Sequence, residues 1–226
     1  MHPAGRILVA APIIGALAMA AVTVVAVARS HLLVSEAAVE MSTWGAVGSA
    51  PSLETWTSVY ERLQSALRIL PGDPITSELL GLLSSQRSDS ADLLESGVEH
   101  TVQALALRPV SAYTWANLVE ARYRRGEPAA NMELAIARAA ELGGAEPGVQ
   151  RIIADYGLAL WDELTPEAQG AVDRLIGAGA RRNPLEMLQI SERRGRLGPV
   201  CRHLLGASRT PDAKLVNICQ SRETTP

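Results

Sequence analysis

Residues 104–127 read Ala104-Leu105-Ala106-Leu107-Arg108-Pro109-Val110-Ser111-Ala112-Tyr113-Thr114-Trp115-Ala116-Asn117-Leu118-Val119-Glu120-Ala121-Arg122-Tyr123-Arg124-Arg125-Gly126-Glu127. Apolar residues recur at helical spacing, a proline interrupts them at 109, and Gly126 stands where a left-handed residue stops a helix. The opening string has a counterpart 38 residues earlier, Ala66-Leu67-Arg68-Ile69-Leu70-Pro71, and Pro147 follows Pro109 by the same 38. A period of this kind marks repeated helical units, each too small to bury its own apolar face.

Outward from this stretch the pattern stays helical. From Ser52 onward no alternating strand pattern appears, and Leu53, Trp56, Tyr60, Leu63, Leu67 and Leu70 make one helical stripe. Thr165-Pro166-Glu167, Asn183-Pro184 and Thr210-Pro211 each read as an N-cap followed by proline in the first turn. Gly143 and Gly144, like Gly126, fit helix ends. Gly45 to Pro51 reads as a joint.

Towards the amino terminus the composition changes. The 22 residues from Ile7 to Ala28 carry no charge, and Arg6 and Arg29 bracket them. As a helix they span about 33 Å, enough for a hydrocarbon core of about 30 Å. The reading adopted is an uncleaved anchor. Its rival is a signal peptide, with Ala26-Val27-Ala28 as the cleavage site. Positive-inside counting is nearly tied, so orientation falls to Cys201 and Cys219, 18 residues apart near the carboxyl end. They read either as a disulfide between neighbouring helices or as two buried thiols. The disulfide reading places the large domain outside the cytoplasm, in a bacterial periplasm.

The organisation expected is therefore an anchor over 1–30, a juxtamembrane helix or linker over 31–51, helical repeats over 52–163, and a non-repeat helical cap and tail over 164–226. The chain has 226 residues, 47% of them hydrophobic, and a net charge of −3. That composition excludes a disordered chain, and it lacks the cationic surplus of a general nucleic-acid binder.

Motifs for chemistry are sparse. His2, His31, His100 and His203 form no zinc-protease pair, no glycine-rich phosphate loop precedes a helix, and no Gly-x-Ser-x-Gly elbow occurs. Cys201, His203 and Cys219 would supply three metal ligands without a fourth. Carboxylates such as Glu78, Glu99 and Asp155 read as a solvated face, and Trp115 and Trp161 as core. No catalytic residue, metal, cofactor or small-molecule substrate is expected. Charge is uneven: Arg181 to Lys214 holds eight basic residues against three acidic ones. Such a tail either forms a plain solvated surface or, through Arg193 and Arg194, docks on an acidic partner, an anionic glycan or lipid headgroups.

Two resemblances extend this reading. Trp115-Ala116-Asn117-Leu118, with Ala121, Tyr123, Gly126 and Glu127, resembles the first helix of a tetratricopeptide repeat. The Ala104–Pro109 run looks like the end of that family's second helix. Weaker copies place Leu80 and Gly81, and then Ile153-Ala154 after one inserted residue, at the family's Leu and small positions. Val119 and Arg122 depart from the family's small and aromatic residues, and the period of 38 exceeds its roughly 34. The resemblance implies an all-α solenoid of helical hairpins in which Tyr113, Ala116, Glu120 and Tyr123 belong to the helix lining the concave surface. With Asn117 they either suit an extended peptide or partner helix, or the tyrosines only cover neighbouring helices. The Lys–Asn clamp with which some members hold a chain terminus is not matched.

An anchor, degenerate repeats and a helical tail containing Arg182-Asn183-Pro184 and Gly195-Arg196-Leu197 are also similar to bacterial exopolysaccharide-biosynthesis proteins of the VpsP type. That resemblance implies a scaffold or adaptor at the inner membrane, whose partners are inner-membrane or periplasmic proteins such as polysaccharide polymerase and export components. The alternatives are an assembly factor for cytochrome maturation or pilus biogenesis, or an enzyme whose site lies after residue 165.

Overall fold

A computed structural model describes residues 3–47, 51–87, 89–206 and 219; of these, residues 3–13 and 45–47 are described as backbone alone. Thr210-Pro211 and the basic residues Arg209 and Lys214 lie outside the described residues. Among the described residues there are helices and no strand. They are α1 (Pro3–Val47), α2 (Leu53–Ile69), α3 (Pro74–Ser85), α4 (Ala91–Leu107), α5 (Ala112–Arg124), α6 (Glu133–Gly143), α7 (Pro147–Ala159), α8 (Pro166–Arg182), α9 (Pro184–Arg193) and α10 (Leu197–Leu205). Short 3₁₀ turns occupy Ala129–Asn131 and Trp161–Glu163.

Contacts divide the chain into two compact units, Met1–Leu80 and Gly81–Pro226, with the division inside α3. The first is built on α1, which runs for 45 residues. At 1.5 Å per residue that is about 68 Å, twice what a bilayer needs. No break separates an anchor at residue 30 from a linker, and the joint expected from Gly45 is still helix up to Val47. Residues 31–44 are instead one arm of a helical hairpin. Ser30, Val34 and Ala37 of α1 are buried, as are Trp56, Val59, Leu63 and Ala66 of α2. Both sets follow the three-and-four spacing of a narrow seam between two helices. The Ser30 hydroxyl donates to the Ala66 carbonyl at 3.1 Å, and Arg62 pairs with Glu40. The stripe expected on α2 is accordingly rotated: Leu53 is exposed, and Val59 and Ala66 enter the seam in its place. A single partner helix leaves room for a narrower stripe than a core would.

The second unit holds one continuous core, extending from Val98 through Val119, Ile136, Ile153, Val172 and Leu175 to Met187, Val200 and Cys201. Trp115 and Trp161 pack against it partly buried, as expected. From α5 to α8, each helix packs against the next and the next but one. This order continues through α9 and α10, so no structural boundary falls at 163. The proline spacing reports the same: Pro184 follows Pro147 by 37 residues.

Local chemistry explains the punctuation. Ser52, Ser90, Ser111, Thr165 and Asn183 cap their helices by accepting a backbone N–H three residues on. Leu70, Arg108 and Asn183, each before a proline, share φ of −127, −136 and −138° with ψ of 79, 66 and 77°. Proline forbids the helical conformation to its predecessor, so the repeated Ala-to-Pro string is a repeated helix stop. Gly126 has φ of +76°, as a left-handed stop requires. Gly143 does not serve that purpose. A Cβ there would lie 2.7 Å from Val149 and 2.9 Å from Ala112, so its role is close helix approach.

Candidate functional site

The residues singled out on α5 and in the basic tail meet at one place. α5 packs on α7, and α7 on α9. Where these three helices lie side by side, α5 contributes Glu120, Tyr123 and Arg124. α7 contributes Asp155 and Tyr156, and α9 ends in Arg193 with Arg194 as its C-cap.

The rings of Tyr123 and Tyr156 lie 5.1 Å apart, tilted by 55°. The Arg194 guanidinium stands over both, 5.9 and 5.8 Å from their centroids. It also donates from Nε and Nη2 to the two oxygens of Asp155, at 2.8 and 3.0 Å. Arg193 reaches the same carboxylate at 3.4 Å. On the other side of Tyr156, Arg124 donates to Glu120 at 2.8 Å, and both charges act on the Tyr156 hydroxyl.

The electrostatics follow from this geometry. Burial pushes the Tyr156 phenol well above its ordinary pKa, and the Glu120 carboxylate adds to the shift while Arg124 opposes it. The bond to Asp155 holds Arg194 above its ordinary value against the cost of partial burial. Tyr156 is 7% exposed. Chemically the cluster is a closed network of paired charges and stacked rings that clamps three helices together.

Glu120 and Tyr123 are half-buried and turn towards α7 and α9, because helices two apart in the chain are lateral neighbours. The basic tail finds acidic groups within its own unit: Arg193 and Arg194 pair with Asp155, Arg196 with Asp162, and Arg202 with Asp173 at 3.4 Å. Arg181 and Arg182 remain exposed in the last turn of α8.

The other expected residues fall outside the clamp. Tyr113 is 41% exposed and leans on Gly148, where a Cβ would come within 2.6 Å of its ring. Its hydroxyl lies 3.5 Å from Glu146. Asn117 is half-buried one turn before Glu120. Cys201 and Cys219 are joined in a disulfide, with Cα atoms 5.5 Å apart. His203, beside it, bonds Asp173 at 3.0 Å and rests on Gly177. Among the described residues no three His, Cys, Asp or Glu side chains converge as metal ligands.

Sequence reasoning missed Tyr156 and read Asp155 as solvated. The repeat offset held the signal, since Asp155 and Tyr156 precede Arg193 and Arg194 by 38 residues, residue for residue. Those positions on α7 and α9 become neighbours because the two helices pack side by side.

No protein-family model, curated protein or solved structure matches the chain. The reading of the site therefore rests on its own geometry.

Proposed function

We propose that this chain is a single-pass protein of the bacterial inner membrane whose periplasmic helical domain is a degenerate tetratricopeptide-like stack acting as a scaffold. Its partners are the membrane and periplasmic proteins that polymerise or export an extracellular polysaccharide. The observation that carries the reading is a joint one. One helix, Ile14–Trp44 over its described residues, contains an 18-residue stretch with a mean hydropathy of 1.9 and is long enough to span. From α5 to α10 each helix packs on the next and the next but one, as stacked hairpins do.

The anchor reading is supported by the exposure of Ile14, Leu17, Met19, Val22 and Val25 among the described residues. Lipid is the solvent that such a surface fits. The periplasmic side is supported by the Cys201–Cys219 disulfide, a bond kept in oxidising compartments. The clamp at Arg194 supports a rigid binding surface, because a pre-ordered scaffold loses little entropy on capturing a partner. Anchoring confines it to two dimensions and raises the effective concentration of membrane partners.

The test is to tag the carboxyl terminus, solubilise native membranes in mild detergent and identify co-purifying proteins. Recovery of a polymerase, chain-length regulator or export component supports the reading. Recovery of a cytochrome-maturation or pilus machine moves the scaffold to that system. A chain that captures nothing after crosslinking overturns the scaffold.

A further inference from the structure

The seam between α1 and α2 does not end where α2 ends. Ser30, Val34 and Ala37 fill it on α1, opposite α2. One and two turns earlier along the same face stand Ala26 and Val22. α2 cannot follow them, because Leu70 precedes Pro71 and the helix stops at Ile69. The result is an open-sided groove of about 410 Å³, lined by Ala21, Val22, Val25, Ala26, Arg29 and Ile69. All of its walls belong to the first unit.

The lining is aliphatic except for Arg29. That residue is the first charge after the uncharged stretch Ile7–Ala28. In a spanning α1 it stands at the depth of the headgroups, with the aliphatic walls beginning at the outer edge of the hydrocarbon layer. A cation at the mouth and a hydrocarbon-lined channel below it match one molecule end for end.

We propose that this groove binds one anionic phospholipid. Its acyl chain continues the seam past the end of α2, against Val22, Val25, Ala26 and Ile69, and its phosphate meets Arg29. The proposal rests on the reading of α1 as a membrane span.

The experiment uses the full chain, purified in neutral detergent and mixed with phosphatidylglycerol or with phosphatidylcholine bearing the same acyl chains. Native mass spectrometry reads the lipid retained. One phosphatidylglycerol per chain is expected. Ala26→Trp fills the groove and should lower retention about 15-fold, the loss of about two buried methylenes. Arg29→Gln should remove the preference for phosphatidylglycerol, about fivefold for one basic residue. Val24→Trp, at a site 67% exposed and outside the lining, should behave as the unaltered chain and controls for added bulk. Retention unchanged in Ala26→Trp overturns the groove. So does a lipid-free dimer, which would put a second copy of α1 there. Carbonate extraction of membranes separates the two levels: a chain released by carbonate sinks the anchor itself, and a chain that resists carbonate but retains no lipid sinks the groove alone.

Discussion

Arg194, the residue that ends α9, grips both carboxylate oxygens of Asp155 on α7 at 2.8 and 3.0 Å while its guanidinium covers Tyr123 and Tyr156. The pair is 39 residues apart in the chain. One side chain thus ties three helices, α5, α7 and α9, into a single face.

Replacing Arg194 by lysine keeps the charge but loses the planar fork and its stacking. With both partners partly solvated, the expected cost is about 1–2 kcal/mol, read as a lower urea midpoint. A double-mutant cycle of Arg194→Ala with Asp155→Ala should give a coupling of about 0.5–2 kcal/mol. Additive single effects would mean that the two residues do not act as a pair.

Two glycines on facing helices should respond in opposite directions. At Gly157 of α7 a Cβ would lie 2.5 Å from Val172 of α8, so Gly157→Ala should destabilise by about 1–3 kcal/mol through overpacking. At Gly170 in α8 the nearest atom to an added Cβ is the Arg174 guanidinium at 3.7 Å. Gly170→Ala should stabilise by about 0.5–1 kcal/mol, because the unfolded chain loses freedom and the helix gains a better former. Thermal denaturation of the two variants side by side decides the matter.

The Cys201–Cys219 disulfide closes a loop with a sequence separation of 18. Its removal by Cys201→Ser should cost about 3 kcal/mol, since the unfolded chain regains the entropy of an open loop. In cells, alkylation before and after reduction gives a separate check. Both thiols should resist the reagent until reduced; labelling without reduction would contradict the bond and the periplasmic placement together.

His100 on α4 should make stability depend on pH. Burial lowers its pKa below the ordinary 6.5, against opposing contributions from a bond to Gln103 and the charge of Glu99. Between the lowered value and 6.5 the unfolded chain binds the additional proton, so stability falls as pH drops through that window. The slope for one proton is at most about 1.4 kcal/mol per pH unit. His100→Asn should flatten this part of the profile in urea unfolding measured between pH 5 and 7.5. A profile that the substitution leaves unchanged would exclude His100 as its source.

Much of the architecture was legible in the residues because its causes are local. Helix stops follow from pre-proline sterics at Leu70, Arg108 and Asn183. Starts follow from side-chain caps at Ser52, Ser111 and Thr165. The apolar helix follows from the absence of charge between Arg6 and Arg29. The site was legible only in pieces. Tyr123 and Arg194 each stood out, one by the repeat frame and the other by charge, but nothing local joins them.

By itself the sequence determined that the body is helical, where several helices begin or end, and that one helix is apolar enough to span a membrane. Tertiary structure decided what those helices share. It made residues 31–44 one arm of a hairpin with α2, and it carried the packing order past residue 163. It also paired Glu120 with Arg124, and Arg194 with Asp155 and the rings of Tyr123 and Tyr156. The physical reason is distance along the chain. Caps, prolines and apolar periodicity act over three or four residues, whereas Asp155 and Arg194 meet only when α7 and α9 are laid side by side.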